Sequence, residues 1–206
     1  MADAFALHSA GEFVHSLADI MRKRGAVDVL SSDNGSYEVS NRVKEILRAF
    51  VIDDWQNEPC NPNQQFFERW WGVTKGLAKA VLGWSGANAD EWFLVLTCVI
   101  YIRNRTAVKS LGCITPLEKL TGIAPDISIM LQMPYRQPVF FNATGDDVKF
   151  PSKPHERFGY FVGFSETVGH QNTFKILTAD ARKIVCRSRV RDSFFVKMTV
   201  ELCQNF

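Results

Sequence analysis

The chain predicts an α/β fold followed by a small all-β barrel, and three observations point there. Two amphipathic helical patterns alternate with two short apolar runs before residue 55, which is the order of a strand, helix, strand unit. Two longer apolar helical segments follow, to about residue 105. From Pro138 onward the apolar period shortens, and aromatic and β-branched residues come in short runs separated by polar turns.

Ser9-Ala10-Gly11-Glu12 is a capping-box pattern, after which Phe13, Val14, Leu17, Ile20 and Met21 share one helical face up to Gly25. Val27 to Leu30 reads as a short strand shortly before Asp33. A helix from Ser40 to Arg48 leads to a second strand, Phe50-Val51-Ile52, and a right-handed crossover makes the two strands parallel. Asn61-Pro62-Asn63 is a loop signal. After it, Phe67, Trp70, Trp71, Thr74, Ala78 and Val81 form an apolar stripe, while Glu68, Gly72, Lys75 and Lys79 gather on the other face at about 100° per residue. Asp90 to Arg105 is apolar almost all round, so a buried helix is expected. A short helix at Pro116 to Thr121 and a proline-containing linker close this region. The strands expected beyond it are Val139 to Phe141, Arg157 to Phe164, Thr173 to Leu177 and Lys183 to Arg187, enough for a small SH3-like or OB-like unit. The expected domains are 1–125, a linker at 126–137, the barrel at 138–195 and a tail at 196–206.

Composition narrows the function classes. With 206 residues, 46% hydrophobic and 22% charged, the chain is long enough for a good core and belongs with globular proteins. The cysteines at 60, 98, 113, 186 and 203 are far apart and form no C-x-x-C pair, which argues against a disulfide framework and against zinc. His8, His15, His155 and His170 show no metal-ligand spacing. The apolar run Trp92 to Ile102 is well short of the roughly 20 residues of a bilayer span. The first residues lack the pattern of a secretory signal, so neither secretion nor a membrane role is expected.

Charge is distributed unevenly. Residues 149 to 191 hold nine Lys or Arg against three acids, a local +6, and the net charge of +2 leaves −4 for the remainder. A basic module beside a mildly acidic one suits a polyanion binder that also carries a carboxylate site. Arg182, Lys183, Arg187, Arg189 and Arg191 alternate along a strand pattern and are expected to track a phosphate backbone from one face. The competing reading of these cations is charge protection of an edge strand. Trp70, Trp71 and Trp84 are read as core residues.

The series Ser32-Asp33-Asn34-Gly35-Ser36-Tyr37, then Asn61-Pro62-Asn63-Gln64-Gln65-Phe66-Phe67-Glu68-Arg69, resembles the integrase core of copia-type LTR retrotransposons and, more distantly, retroviral integrase. The likeness continues through Tyr101 to Thr106, Thr115 to Gly122, Pro125-Asp126, Gly159 to Phe164 and Ile184 to Asp192. It implies an incomplete RNase H-like core with a helical extension, followed by the SH3-like module of copia-type polyproteins. In that family three carboxylates hold two Mg²⁺ (or Mn²⁺) ions that drive strand transfer at a phosphodiester.

Asp33 matches the second carboxylate and Glu68 the third. Taken alone, Asp33 would be an Asp-Asn-Gly turn and Glu68 a solvated helix residue. Asn61 and Gln65 match a loop where polar side chains approach DNA, and Lys75 and Lys79 lie along the helix below Glu68. Gly72 departs from the basic residue of retroviral relatives. The first carboxylate belongs on an opening strand, and Met1 to Leu7 is too short for three strands of about five or six residues. The expectation is therefore weak or absent metal binding and a chain not competent alone. Asp53 and Asp54 are poor substitutes, because the missing ligand belongs on the opposite flank of Asp33. DNA is the implied partner and a second copy of the chain a further one, in the nucleus and cytoplasm. The alternative is a non-catalytic nucleic-acid-binding protein derived from a transposon. A third reading is a protein-interaction module that uses the exposed edge of the sheet.

Overall fold

The structure is a computed structural model that describes residues 1–32, 40–56, 66–142, 156–170 and 172–193. It is mixed helix and sheet, and the chain divides into two compact units, Asp3–Val73 and Met1–Ala2 with Thr74–Phe206.

The first unit is built on α1 (Ala10–Arg24), β1 (Val29–Ser32), α2 (Asn41–Ala49) and β2 (Asp53–Gln56), and it contains the start of α3 (Phe66–Ser85). Ser9 caps α1 by accepting a hydrogen bond from the Glu12 N–H, as the capping pattern predicts. The Glu12 carboxylate accepts from the His8 N–H. At the other end of the helix, the Asp3 carboxylate holds Arg24 at 2.9 Å and Lys23 at 3.4 Å. The apolar stripes of both helices meet in one core, where Val14, Leu17, Met21, Val43, Leu47 and Ile52 are buried and Phe13, Leu30 and Ile46 pack against them.

The two strands are parallel, with Val29 opposite Asp53 and Ser32 opposite Gln56. The second strand is not Phe50 to Ile52, as the apolar run suggests, but Asp53–Gln56. The reason lies in the helix end: the N–H groups of Phe50, Val51 and Ile52 donate to the carbonyls of Ile46, Arg48 and Leu47. Those donors are therefore spent on the orphan carbonyls of α2 and are not available to a ladder. Val51 takes φ 55°, an uncommon conformation for a β-branched residue, and is 88% exposed.

The second unit contains the rest of α3, α4 (Trp92–Asn104), α5 (Pro116–Thr121) and five strands. On α3, Thr74 and Ala78 are buried and Glu68, Gly72, Lys75 and Lys79 are exposed, which matches the predicted stripe. Phe67 departs from it, being 65% exposed with its ring 6.2 Å from that of Trp70. Trp84 is exposed rather than part of the core. Helix α4 is buried along most of its length, through Val95, Leu96, Cys98, Val99 and Ile100. Thr115 and Glu118 form a complete capping box on α5.

The strands are β3 (Pro138–Asn142), β4 (Glu156–Phe164), β5 (Phe174–Thr178), β6 (Ile184–Arg187) and β7 (Val190–Asp192), in antiparallel spatial order β6-β5-β4-β3-β7. The last strand has only three residues and a single apolar one, too little pattern to read from sequence. Strands β6 and β7 sit on opposite edges, yet only Ser188 and Arg189 separate them in the chain. Four gaps of about 4.8 Å would set flat edges about 19 Å apart, whereas three peptide steps reach about 11 Å. The sheet must curl until its edges approach each other. Inside the curl lie Val139, Phe141, Phe161, Phe174 and Ile176, all nearly inaccessible.

Helix α4 packs on β4 at a bulge between Phe161 and Gly163. Gly163 has φ 145°, and a side chain there would stand 3.6 Å from the Cys98 Cβ. Tyr101 stacks on Phe164 at 4.5 Å. Burial pushes the Cys98 thiol up to about 12, with Lys175 opposing weakly. Native-state alkylation near pH 8, mapped by mass spectrometry, is expected to label exposed Cys113 and spare Cys98. Labelling of Cys98 at a comparable rate would contradict the packing of α4 on β4. Because the Cys98 pKa is raised above its unfolded value, its contribution to stability is intact below about pH 9 and is lost as pH rises toward 12. Among the described residues, no helix is long and apolar enough to cross a membrane.

Candidate metal and nucleic-acid site

Asp33, Asn61 and Gln65 lie outside the described residues. Just before it, β1 is described over Val29–Ser32 and runs with its carboxyl end toward Asp33 in the chain. Sites in α/β folds are commonly built at such ends.

Glu68 is in the first turn of α3 and exposed. The turn's free N–H groups favour an anion there, which gives the carboxylate a reason to sit at this position whether or not it binds a ligand. As a solvated hard oxygen donor it suits Mg²⁺ or Mn²⁺ in type. Among the described residues, no group of three His, Cys, Asp or Glu side chains converges as a metal site. Asp53 and Asp54 open β2 instead of ending it. The last register pair, Ser32 with Gln56, lies two residues beyond Asp54, about 7 Å along the strand. Lys75 and Lys79 follow Glu68 along the same helix, both exposed.

The five expected phosphate contacts do not lie along one strand. Arg182 and Lys183 fall in the turn between β5 and β6, Arg187 ends β6, Arg189 is in the connection to β7, and Arg191 is on β7 at the opposite edge. Alternation in the chain was misleading because the strand breaks at Ser188 and the next one joins the far side of the sheet.

Their electrostatic situations differ too. Arg182 pairs with Asp90 at 2.9 Å and with Glu91 at 3.6 Å. Arg187 donates to the carbonyls of Cys186 at 2.8 Å and Asn142 at 3.3 Å and lies over the Phe141 ring. Arg191 pairs with Glu156. Lys183 and Arg189 are exposed and make no ion pair among the described residues.

A second polar cluster gave little sign in the sequence. Glu91, only 3% exposed, receives Arg136 at 3.9 Å and Arg182 at 3.6 Å on one carboxylate oxygen. Among the described residues its other oxygen and the buried Tyr135 hydroxyl have no hydrogen-bond partner. Burial raises the Tyr135 pKa, and the charge of Glu91 adds to the effect. Arg136 also donates to the Gly86 carbonyl. Both arginines take positive φ, 64° for Arg136 and 49° for Arg182, so the backbone is strained where each guanidinium is aimed at Glu91. The available signal was an acid at the head of an otherwise apolar helix, which reads equally well as an ordinary helix-start residue.

No protein-family profile matches the chain, and no curated protein matches it. Among solved structures, the catalytic core domain of BIV integrase matches with a TM-score of 0.47 and 20% identity, covering 59% of this chain and 77% of that one. A chain of the simian T-cell lymphotropic virus intasome in complex with the PP2A regulatory subunit B56 gamma matches with a TM-score of 0.45 and 14% identity, covering 90% of this chain and 67% of that one.

Proposed function

We propose that the chain is part of a copia-type LTR retrotransposon integrase, with a partial RNase H-like core and helical extension over 1–125 and an SH3-like module over 138–195. The parent enzyme would join element DNA to target DNA by Mg²⁺-dependent strand transfer. One observation carries the reading: β1 and β2 are parallel through α2, and β1 (Val29–Ser32) runs with its carboxyl end toward Asp33 in the chain. The described topology of the β unit, a four-strand meander whose fifth strand returns to the first, supports the SH3-like assignment.

In this reading Asp33 and Glu68 would hold the divalent ions. Such ions activate the attacking oxygen and stabilise the leaving one. Lys75 and Lys79, with Asn61 and Gln65, would orient the DNA, and Lys183 and Arg189 would take phosphates. Of the three carboxylates that this chemistry uses, the resemblance matches two here, Asp33 and Glu68, and two alone would hold a divalent ion weakly and would not sustain strand transfer.

Strand transfer with purified protein, an oligonucleotide representing an element end and Mg²⁺ or Mn²⁺ is expected to give no joined product. Robust joining abolished by Asp33→Asn would overturn the claim of inactivity. A non-catalytic nucleic-acid-binding role is the second reading, favoured by Lys183 and Arg189, which are exposed and make no ion pair among the described residues. Salt-sensitive DNA binding that survives Glu68→Gln but is lost with Lys183→Ala and Arg189→Ala selects it.

A further inference from the structure

The outer face of the curled sheet carries an ordered strip of rings and cations. Phe140 on β3 is the register partner of Phe158 on β4 and of Arg191 on β7, and Pro138 is the partner of Tyr160. Register partners point to the same face, so Arg191, Phe140 and Phe158 stand in one line across the strands, with Tyr160 two residues along β4. The alternate residues, Val139, Phe141 and Phe161, point into the curl and are 0%, 3% and 1% exposed. Phe140, Phe158 and Tyr160 are only partly buried.

Ring centroids are 5.5 Å apart for Phe140 and Phe158 and 5.3 Å apart for Phe158 and Tyr160. A guanidinium closes each end. Arg191, with its side chain 64% exposed, flanks Phe140, and Arg136 lies 5.4 Å from the Tyr160 ring centre.

We propose that this strip binds single-stranded nucleic acid, with bases stacking on Phe140, Phe158 and Tyr160 and phosphates meeting Arg191 and Arg136. Base stacking on aromatic rings beside cations is how single strands are held without sequence preference, and a duplex keeps its bases in the stack and cannot use the rings. A proline-rich peptide also favours aromatic surfaces. The cations at both ends, and the +6 balance of residues 149 to 191, instead fit a polyanion. The pairing of Arg191 with Glu156 is a surface ion pair, weak enough to exchange for phosphate. The proposal rests on the nucleic-acid reading above and refines it to the single-stranded form.

The test uses the full chain in fluorescence anisotropy titrations with a dye-labelled oligothymidylate of about 15 nucleotides and with a duplex of equal length, at two salt concentrations. The single strand is expected to bind at least ~10-fold tighter than the duplex. The double variant Phe140→Leu/Phe158→Leu, checked for an unchanged far-UV circular dichroism spectrum, is expected to lose ~10- to 100-fold of single-strand affinity and to leave duplex affinity unchanged. Photocrosslinking of the unmodified protein to oligothymidylate, mapped by mass spectrometry, is expected at Phe140, Phe158 or Tyr160 and needs no variant to fold. Equal affinity for both DNA forms, or crosslinks confined to other residues, overturns the strip and leaves the nucleic-acid reading standing. No binding of either DNA overturns both. Binding of a proline-rich peptide in place of DNA, lost in the same double variant, overturns the strip's ligand.

Discussion

Glu91→Ala is expected to lower the stability of the unit that contains it by about 3 kcal/mol, measured by urea unfolding followed with circular dichroism. The side chain is 3% exposed and its carboxylate receives guanidiniums from two distant parts of the chain, Arg136 before β3 and Arg182 between β5 and β6. Removing a buried partner leaves opposing charge uncompensated, which usually costs about 3 to 5 kcal/mol. The lower end applies here because the arginine side chains are 21% and 51% exposed and water can reach them. Arg182→Ala is expected to cost about 1 kcal/mol or less, since its guanidinium sits at the wet rim of the cluster. Tyr135→Phe should be nearly neutral, because the hydroxyl it removes has no partner among the described residues. A Glu91→Ala loss no larger than that of Arg182→Ala would show that the carboxylate does not tie these elements together.

The second large effect is expected at Gly159. A Cβ there would stand 2.7 Å from the Ile176 Cγ2 and 2.7 Å from the Leu177 carbonyl oxygen. The carbonyl belongs to the neighbouring strand and cannot swing aside as a flexible side chain would, so β4 and β5 would have to separate. Gly159→Ala is therefore expected to destabilise by about 2 to 3 kcal/mol, the cost of overpacking a filled core. Gly76→Ala supplies the contrast. Gly76 lies inside α3 with nothing within 4 Å of an added Cβ, and alanine there is expected to stabilise by about 1 kcal/mol through helix propensity. Thermal denaturation of both variants checks the pair, and equal effects would mean that the close approach of β4 and β5 does not exist.

Much of the fold was legible because local patterns carried it. The stripes of α1 and α2 were readable, as were the cap at Ser9, the all-round apolar α4 and the aromatic runs of β3 to β6, since burial on one face imposes a period on the sequence. Phe50-Val51-Ile52 misled because apolar runs look alike whether their N–H groups bond along a strand or back into a helix end. The cations from Arg182 to Arg191 misled for a related reason. Alternation predicts a shared face only along one continuous strand, and these five are divided among a turn, two strands at opposite edges and the connection between them. Glu91 was hidden because an acid beginning a helix is ordinary, and its burial depends on Arg136 and Arg182, about 45 and 91 positions away.

The sequence alone determined the helices α1 to α5, the strands β3 to β6 and the opposition of Glu68 to the buried stripe of α3. It also carried the resemblance centred on Asp33 and Glu68. These are properties of neighbours within a few turns, where spacing fixes direction. Tertiary structure alone decided that the sheet curls so that β6 and β7 approach, that Arg182 and Arg136 converge on a buried carboxylate, and that Phe140, Phe158 and Tyr160 line up between two guanidiniums. Each of these depends on register between strands or on contacts across long separations, which no local period encodes.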